Sequence, residues 1–124
     1  MKRTATLAAA ALTLLFAGAA LAKCTLTVKF KNNDSHTLVV LGSESQVRVN
    51  GGTWSKMNFN NVTVAPGATG TSSWTTNMSC GGTAKRDFRI KFEDKGNNVI
   101  YSNTNKNDID IYDGQTLTWA LKND

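Results

Sequence analysis

Apolar and polar residues alternate along most of the chain after residue 22, and this period of two predicts β-strands. Residues 24–32 place their apolar side chains on one face and their Thr and Lys side chains on the other. Residues 87–93 repeat the pattern, with Phe88, Ile90 and Phe92 on one side. A strand with one face on a core has this alternation. We therefore predict that both segments are half-buried strands.

Turn residues divide the rest of the chain into further short strands. Asn50-Gly51-Gly52 is typical of a tight hairpin, because Asn and Gly tolerate positive φ. The predicted strands cover residues 24–32, 37–41, 46–49, 54–59, 61–64, 69–76, 87–93, 98–102, 108–112 and 116–121. This regular spacing predicts an all-β fold, a single antiparallel β-sandwich (or barrel) of eight to ten short strands.

The first 22 residues have the parts of a secretory signal in the right order. A cationic start precedes an apolar stretch over about residues 7–21, which ends in the small-x-small motif Ala20-Leu21-Ala22. The stretch is short for a membrane span, although an uncleaved anchor is the alternative. We expect a signal peptide at 1–22 and one domain at 23–124, exported to a periplasm or secreted.

Two cysteines, Cys24 and Cys80, are the complete set in the chain. An oxidising compartment favours their pairing, so we predict one disulfide. The chain-entropy relation gives about 4 kcal/mol for a bond that closes a loop of this length. A redox function would need a closely spaced pair, so the predicted bond is structural.

The charge is modestly positive. The whole chain carries a formal net charge of +5, and removal of Lys2 and Arg3 with the signal leaves +3. Such an excess permits attraction to anionic lipid, wall polymer or an acidic protein. Nucleic acid is not an expected partner of an exported domain with so little excess charge.

Candidates for catalysis or metal binding are few. His36 is the one histidine; it lies beside a turn without a nucleophile motif, so we expect a surface turn residue. Carboxylates beside turns, such as Asp94, are expected to be solvated. Asp108, Asp110 and Asp113 offer oxygen ligands suited to calcium, but the EF-hand spacing is missing. We expect no enzyme and no cofactor, with calcium at these three residues as the alternative.

The tryptophans are candidates for a binding site. Trp119 alternates with Leu117 and Leu121 and is expected in the core. Trp54 follows a glycine turn, and Trp74 lies among Ser and Thr residues. We predict these two as exposed aromatic anchors for a partner, a sugar or a bilayer interface, with core packing as the alternative.

Basic residues cluster in sequence near the second half of the chain. Arg86, Arg89 and Lys91 predict a face that binds anions or lipid headgroups. The alternative is an ordinary solvated strand face whose cations discourage edge pairing.

Several short motifs follow one another in a familiar order. They are residues 25–32, Leu38-Val39-Val40, Gly51-Gly52-Thr53-Trp54, residues 64–69, Ser79-Cys80-Gly81-Gly82 and the strand with Phe88. This order resembles the aegerolysins, small β-sandwich proteins that bind particular membrane lipids, some of them forming pores with a partner. The chain departs from that family in its signal peptide, its basic charge and its few aromatic residues near the C-terminus. The resemblance implies a lipid ligand but transfers no binding residue.

These observations predict an exported, non-catalytic binding protein that recognises membrane lipid or an envelope surface. The alternative is a periplasmic inhibitor or immunity protein that docks on a hydrolase or toxin, because a rigid disulfide-linked domain is already organised for docking. A surface-fibre subunit is a further alternative, and its mark would be an open groove for a donated strand.

Overall fold

A computed structural model describes residues 23–94, 99–101 and 106–122, and its regular secondary structure is entirely β. The strands are β1 Lys23–Asn32, β2 Leu38–Val40, β3 Gln46–Val49, β4 Ser55–Lys56, β5 Val62–Val64, β6 Thr69–Ser79, β7 Arg86–Arg89, β8 Lys91–Asp94, β9 Val99–Tyr101, β10 Lys106–Ile109 and β11 Thr116–Leu121. In these ranges there is no helix with the length and apolar character of a bilayer span. The predicted signal peptide (1–22) and the predicted turn at residues 95–97 lie outside the described residues.

The strands build an all-β sandwich from one three-stranded and two four-stranded sheets. The three-stranded sheet has the order β11-β1-β6, and the others have the orders β5-β2-β8-β9 and β10-β7-β3-β4. Only Ile90 separates β7 from β8, and the Leu41 N–H donates to the Lys91 carbonyl where the two four-stranded sheets meet. The chain therefore passes directly from one four-stranded sheet into the other at Ile90.

Several strand bounds differ from the predicted ones: β10 is Lys106–Ile109 where 108–112 was predicted, and β4 is only Ser55–Lys56. Two larger features also differ from the predicted sandwich. The expected strand at residues 87–93 is two strands, because the chain leaves one sheet and enters the next at Ile90; the described residues accordingly form eleven strands. Pairing is antiparallel throughout except between β1 and β11, which run parallel with Phe30 opposite Trp119.

Aromatic side chains from different sheets meet in the core. The Phe30 ring stacks against Phe59 and Trp119, each with ring centroids 5.7 Å away. Phe88 meets Trp74 and Trp119 edge-on, at 5.5 Å and 5.7 Å. The alternating apolar residues of β1, β7, β8 and β11 are buried, so the predicted core faces are confirmed. Trp119 is confirmed as a core residue.

The predicted disulfide joins Cys24 near the start of β1 to Cys80 just after β6, with Cα atoms 5.9 Å apart. Cys24 belongs to the buried core, and Cys80 packs against it. The bond therefore ties the sandwich where β1 and β6 pair. It is consistent with an oxidising, exported environment.

The predicted hairpin at Asn50-Gly51-Gly52 connects β3 to β4. Asn50 and Gly51 have φ of 48° and 72°, as a tight turn between paired strands requires. The pairing places Gln46 opposite Lys56 and brings Trp54, at the start of the returning segment, beside β3.

Candidate functional site

Four of the five predicted binding residues, all except Lys91, divide between two places on either side of β3 and β7. Trp54 and Arg89 meet on the outer side. Trp74 and Arg86 line a pocket between β6 and the β3–β4 hairpin. We call the first the stacked cluster (Arg48, Trp54 and Arg89) and the second the edge pocket.

The stacked cluster holds two guanidinium groups against one indole ring. The Cζ atoms of Arg48 and Arg89 lie 4.5 Å and 4.4 Å from the centroid of the Trp54 ring. Contacts of this length are cation–π interactions. Arg89 is held in addition by its Nε, which donates to Oε1 of Gln46 at 2.6 Å. Trp54 is half-buried, so its ring is not freely exposed as the sequence predicted.

A buried carboxylate fixes the other arginine of the stacked cluster. The Nε of Arg48 donates to Oδ2 of Asp87 at 2.7 Å, and the Asp108 N–H donates to Oδ1 of the same carboxylate at 2.9 Å. These two hydrogen bonds hold the pKa of Asp87 below its usual value, and the one from Asp108 has the larger effect. Asp87 is therefore ionised at neutral pH and orients Arg48.

The edge pocket lies between two sheets of the sandwich and has a volume of about 60 Å³. Its lining consists of Val47, Val49, Ser55, Trp74, Thr76, Asn77, Met78 and Arg86. Most of the exposed lining is apolar, and Met78 and Val49 are 71% and 38% exposed. The pocket thus continues outward into an exposed apolar rim.

Arg86 forms the charged part of the edge pocket. Its side chain is buried, with the residue only 7% exposed. Its Nη2 donates to the Ser79 carbonyl over a long 3.4 Å, and its buried Nη1 has no hydrogen-bond partner among the described residues. None of the ion pairs formed by those residues includes Arg86. A buried charge without a counter-ion is costly in free energy, so an anion bound beside Arg86 would stabilise it.

Two of the predicted exposed residues prove to be buried. Trp74 is 3% exposed, so it is not a surface anchor; it lies on the core-facing side of β6 and meets Phe88 edge-on. Arg86 shares the inward side of its strand with Phe88, and this alternation explains its burial. Both residues border the edge pocket instead of an open surface.

The predicted basic face is not one surface. Arg86 lines the pocket and Arg89 stacks on Trp54, whereas the Lys91 Nζ forms an ion pair with Glu44 at 3.0 Å. Arg86 lies on the inward side of β7 with Phe88, whereas Arg89 and Lys91 lie at outward positions, because residues an odd number of positions apart in a strand face opposite sides.

Sequence reasoning missed one group of titratable residues. The Nδ1 atom of His36 lies 3.1 Å from Oδ1 of Asp34 and 3.6 Å from Oδ2 of Asp94. Both carboxylate side chains are buried, at 0% and 1% exposure, while the His36 side chain is 46% exposed. Asp94 is thus not a solvated turn residue, because it follows Phe92 on the inward side of β8. The alternation in the sequence could have predicted this burial. These three residues could together ligate a cation.

The three calcium candidates have separate partners. Oδ1 of Asp110 pairs with Lys85 Nζ at 2.6 Å, and Oδ1 of Asp113 accepts the Thr25 N–H at 2.9 Å. Asp108 donates its backbone N–H to Asp87. Within the described ranges, the one group of three potential metal ligands in close approach is the group around His36. Asp108, Asp110 and Asp113, the alternative calcium ligands, do not form such a group.

No family model and no curated protein matches this chain. The resemblance to aegerolysins stays a prediction.

Proposed function

We propose that this protein is an exported, non-catalytic binding protein that recognises anionic headgroups of a membrane lipid on the envelope surface. One observation carries the proposal: Arg48 and Arg89 are held against the ring of Trp54, within 4.5 Å of its centroid. Asp87 offsets the charge of Arg48, so the two guanidinium groups together carry one net positive charge beside the apolar indole. An apolar body beside positive charge is the combination that a membrane interface selects.

The stacking prepares the two arginines for binding. A guanidinium lying on a ring keeps its N–H donors in its own plane, where they can meet the oxygens of a phosphate group. Both side chains are already ordered by Asp87 and Gln46, so less conformational entropy is lost when a headgroup binds.

Neighbouring charge supports the same surface. Lys56 is exposed on β4 opposite Gln46, which in turn holds Arg89. Each cation close to an anionic leaflet contributes about 1 kcal/mol of attraction. The outer side of this sheet therefore attracts anionic vesicles through several cations, each of which contributes a small attraction.

A docking protein is the second candidate function, and an unpaired strand edge favours it. β6 is eleven residues long and pairs with β1 on one side, while none of the described strands pairs with its other edge. Free strand edges bind extended segments of partner chains by main-chain hydrogen bonds. An inhibitor or immunity protein would use such an edge to hold its target.

Vesicle sedimentation tests the membrane proposal. We expect the oxidised protein to sediment with vesicles that contain phosphatidylglycerol and not with pure phosphatidylcholine, and salt should weaken the binding. Replacing Arg89→Gln should weaken it by about fivefold, the equivalent of one lost cation. Trp54→Ala should weaken it further, because both stacking contacts are lost.

Lys29→Gln is the matched control. Lys29 lies on β1 in the three-stranded sheet, so its loss removes the same charge from a different sheet. Equal losses for Lys29→Gln and Arg89→Gln would refute the stacked cluster as the binding site and leave only net charge. The docking function would be favoured if the protein binds no vesicle and recovers one partner from envelope extract. A peptide with the sequence of β6 should then compete for that partner.

A further inference from the structure

We propose that the edge pocket is a binding site for a small apolar monocarboxylate, whose carboxylate pairs with Arg86. This site does not rest on the membrane function, because it uses the inner side of β3 and β7 and none of the stacked cluster. Three observations lead to it: an uncompensated cation, an apolar lining and an opening beside exposed apolar side chains.

The uncompensated cation comes first. Arg86 is 7% exposed, its Nη1 has no partner among the described residues, and its one hydrogen bond, from Nη2 to the Ser79 carbonyl, is 3.4 Å long. Removing a guanidinium from water without a counter-ion is strongly unfavourable. An incoming anion would supply that counter-ion in a setting where a charge-assisted hydrogen bond is strong.

The charge of the pocket limits the ligand to a single negative charge. Arg86 is the one charged residue among those described in the pocket wall; Ser55, Thr76 and Asn77 supply the neutral polar atoms. One guanidinium balances a monoanion, and its planar pair of N–H groups matches the two oxygens of a carboxylate. A phosphate dianion would remain half uncompensated in the same place.

The size and lining of the pocket define the rest of the ligand. A volume of about 60 Å³ has room for about four or five water-sized groups, which suffices for a carboxylate and the first carbons behind it. Val47 and Trp74 form apolar walls there. The remaining chain would lie over Val49 and Met78, which are 38% and 71% exposed. An unbranched fatty acid of medium length has this shape.

Calorimetric titration with octanoate tests the site, with 1-octanol as the uncharged analogue. We expect saturable, one-to-one binding of octanoate and at least about tenfold weaker binding of octanol, since a charge-assisted contact exceeds 1.4 kcal/mol. Tryptophan fluorescence of the Trp54→Phe variant, in which Trp74 and Trp119 remain, should change along the same titration curve, because Trp74 lines the pocket. Equal affinity for octanoate and octanol, or no saturable binding of octanoate, would overturn the proposal.

Two variants locate the binding. Arg86→Met keeps the side-chain volume and removes the charge, so octanoate binding should be lost while binding of octanol persists. Ser55→Phe leaves Arg86 in place and narrows the pocket from the exposed strand β4, so both ligands should be excluded. Ser73→Phe is the matched control, because Ser73 is exposed on β6 and does not line the pocket.

The outcomes separate this proposal from the membrane function. Octanoate binding that survives Trp54→Phe and Arg89→Gln assigns the carboxylate to the edge pocket, whatever the vesicle assay shows. Octanoate binding that is lost in Arg89→Gln and unchanged in Arg86→Met would place the anion at the stacked cluster and refute the pocket. Near-ultraviolet circular dichroism of each variant checks that the fold is retained.

Discussion

Arg48 and Asp87 face each other across the paired strands β3 and β7, and the Nε of the arginine donates to the carboxylate at 2.7 Å. The same carboxylate accepts the backbone N–H of Asp108, which follows Asn107 in β10. One buried carboxylate thus joins three neighbouring strands of a sheet and fixes the arginine that lies against Trp54.

The stability of the protein should depend on the charge of Asp87. Hydrogen bonds from Asp108 and Arg48 lower its pKa in the folded state, so its contribution is fully present above the unfolded pKa of about 4. That contribution is lost as the pH falls through the lower folded pKa. We expect Asp87→Asn to unfold at lower urea concentration at neutral pH, and its difference from the parent protein to shrink below about pH 4.

Arg48→Met and the double variant complete a thermodynamic cycle for this pair. The coupling free energy between the two positions should be favourable at neutral pH and should fall towards zero in acid. A difference between the parent and Asp87→Asn that stays constant from neutral pH to about pH 2 would contradict this account, because only an ionisable group gives a pH-dependent term.

The disulfide should make a large contribution to stability. Cys24 and Cys80 are 56 positions apart, and a bond that closes such a loop stabilises the fold by about 4 kcal/mol in the chain-entropy account. We expect Cys24→Ser/Cys80→Ser to unfold at much lower urea concentration than the oxidised parent. The reduced parent should match the double variant; if it were as stable as the oxidised protein, the bond would have no structural role.

The stacked aromatic residues of the core should be sensitive to truncation. Phe30 is 0% exposed and lies between Phe59 and Trp119. Phe30→Ala should destabilise the fold by about 3–5 kcal/mol, through lost burial and the cavity left behind. Met78→Ala is the control in denaturant unfolding, since Met78 is 71% exposed and should change stability by less than about 0.5 kcal/mol. Similar losses for both would show that this core is not where the stability lies.

Alternation in the sequence predicted the strands and the core because it reports burial directly. The inward residues of β1 are Cys24, Leu26, Val28, Phe30 and Asn32, as the period of two requires. The same rule, followed one step further along β7 and β8, would have placed Arg86 and Asp94 on the buried side with Phe88. Because both side chains are charged, they were predicted to face solvent. Their positions in the strands nevertheless place them on the buried side.

The sites themselves depend on pairing, which sequence spacing does not give. Arg48 and Arg89 are 41 positions apart, yet they meet at Trp54 because β3 pairs with β7. The edge pocket requires β6 of one sheet to lie near the β3–β4 hairpin of another. Several topologies are compatible with the same alternating strands, so neither meeting could be predicted from the chain alone.

A close backbone approach makes Gly42 the most sensitive glycine of the described residues. A Cβ added there would lie 1.9 Å from the Phe59 carbonyl oxygen, while the Gly42 carbonyl accepts the N–H of Asn58 at 3.0 Å. Gly42→Ala must therefore move backbone that positions a core ring. We expect a loss of at least about 3 kcal/mol in denaturant unfolding, at the upper end for single substitutions. Ser43→Ala, at an exposed position of the same turn, should stay within about 0.5 kcal/mol of the parent. Full stability of Gly42→Ala would mean that residues 42 and 59 do not approach as closely as described.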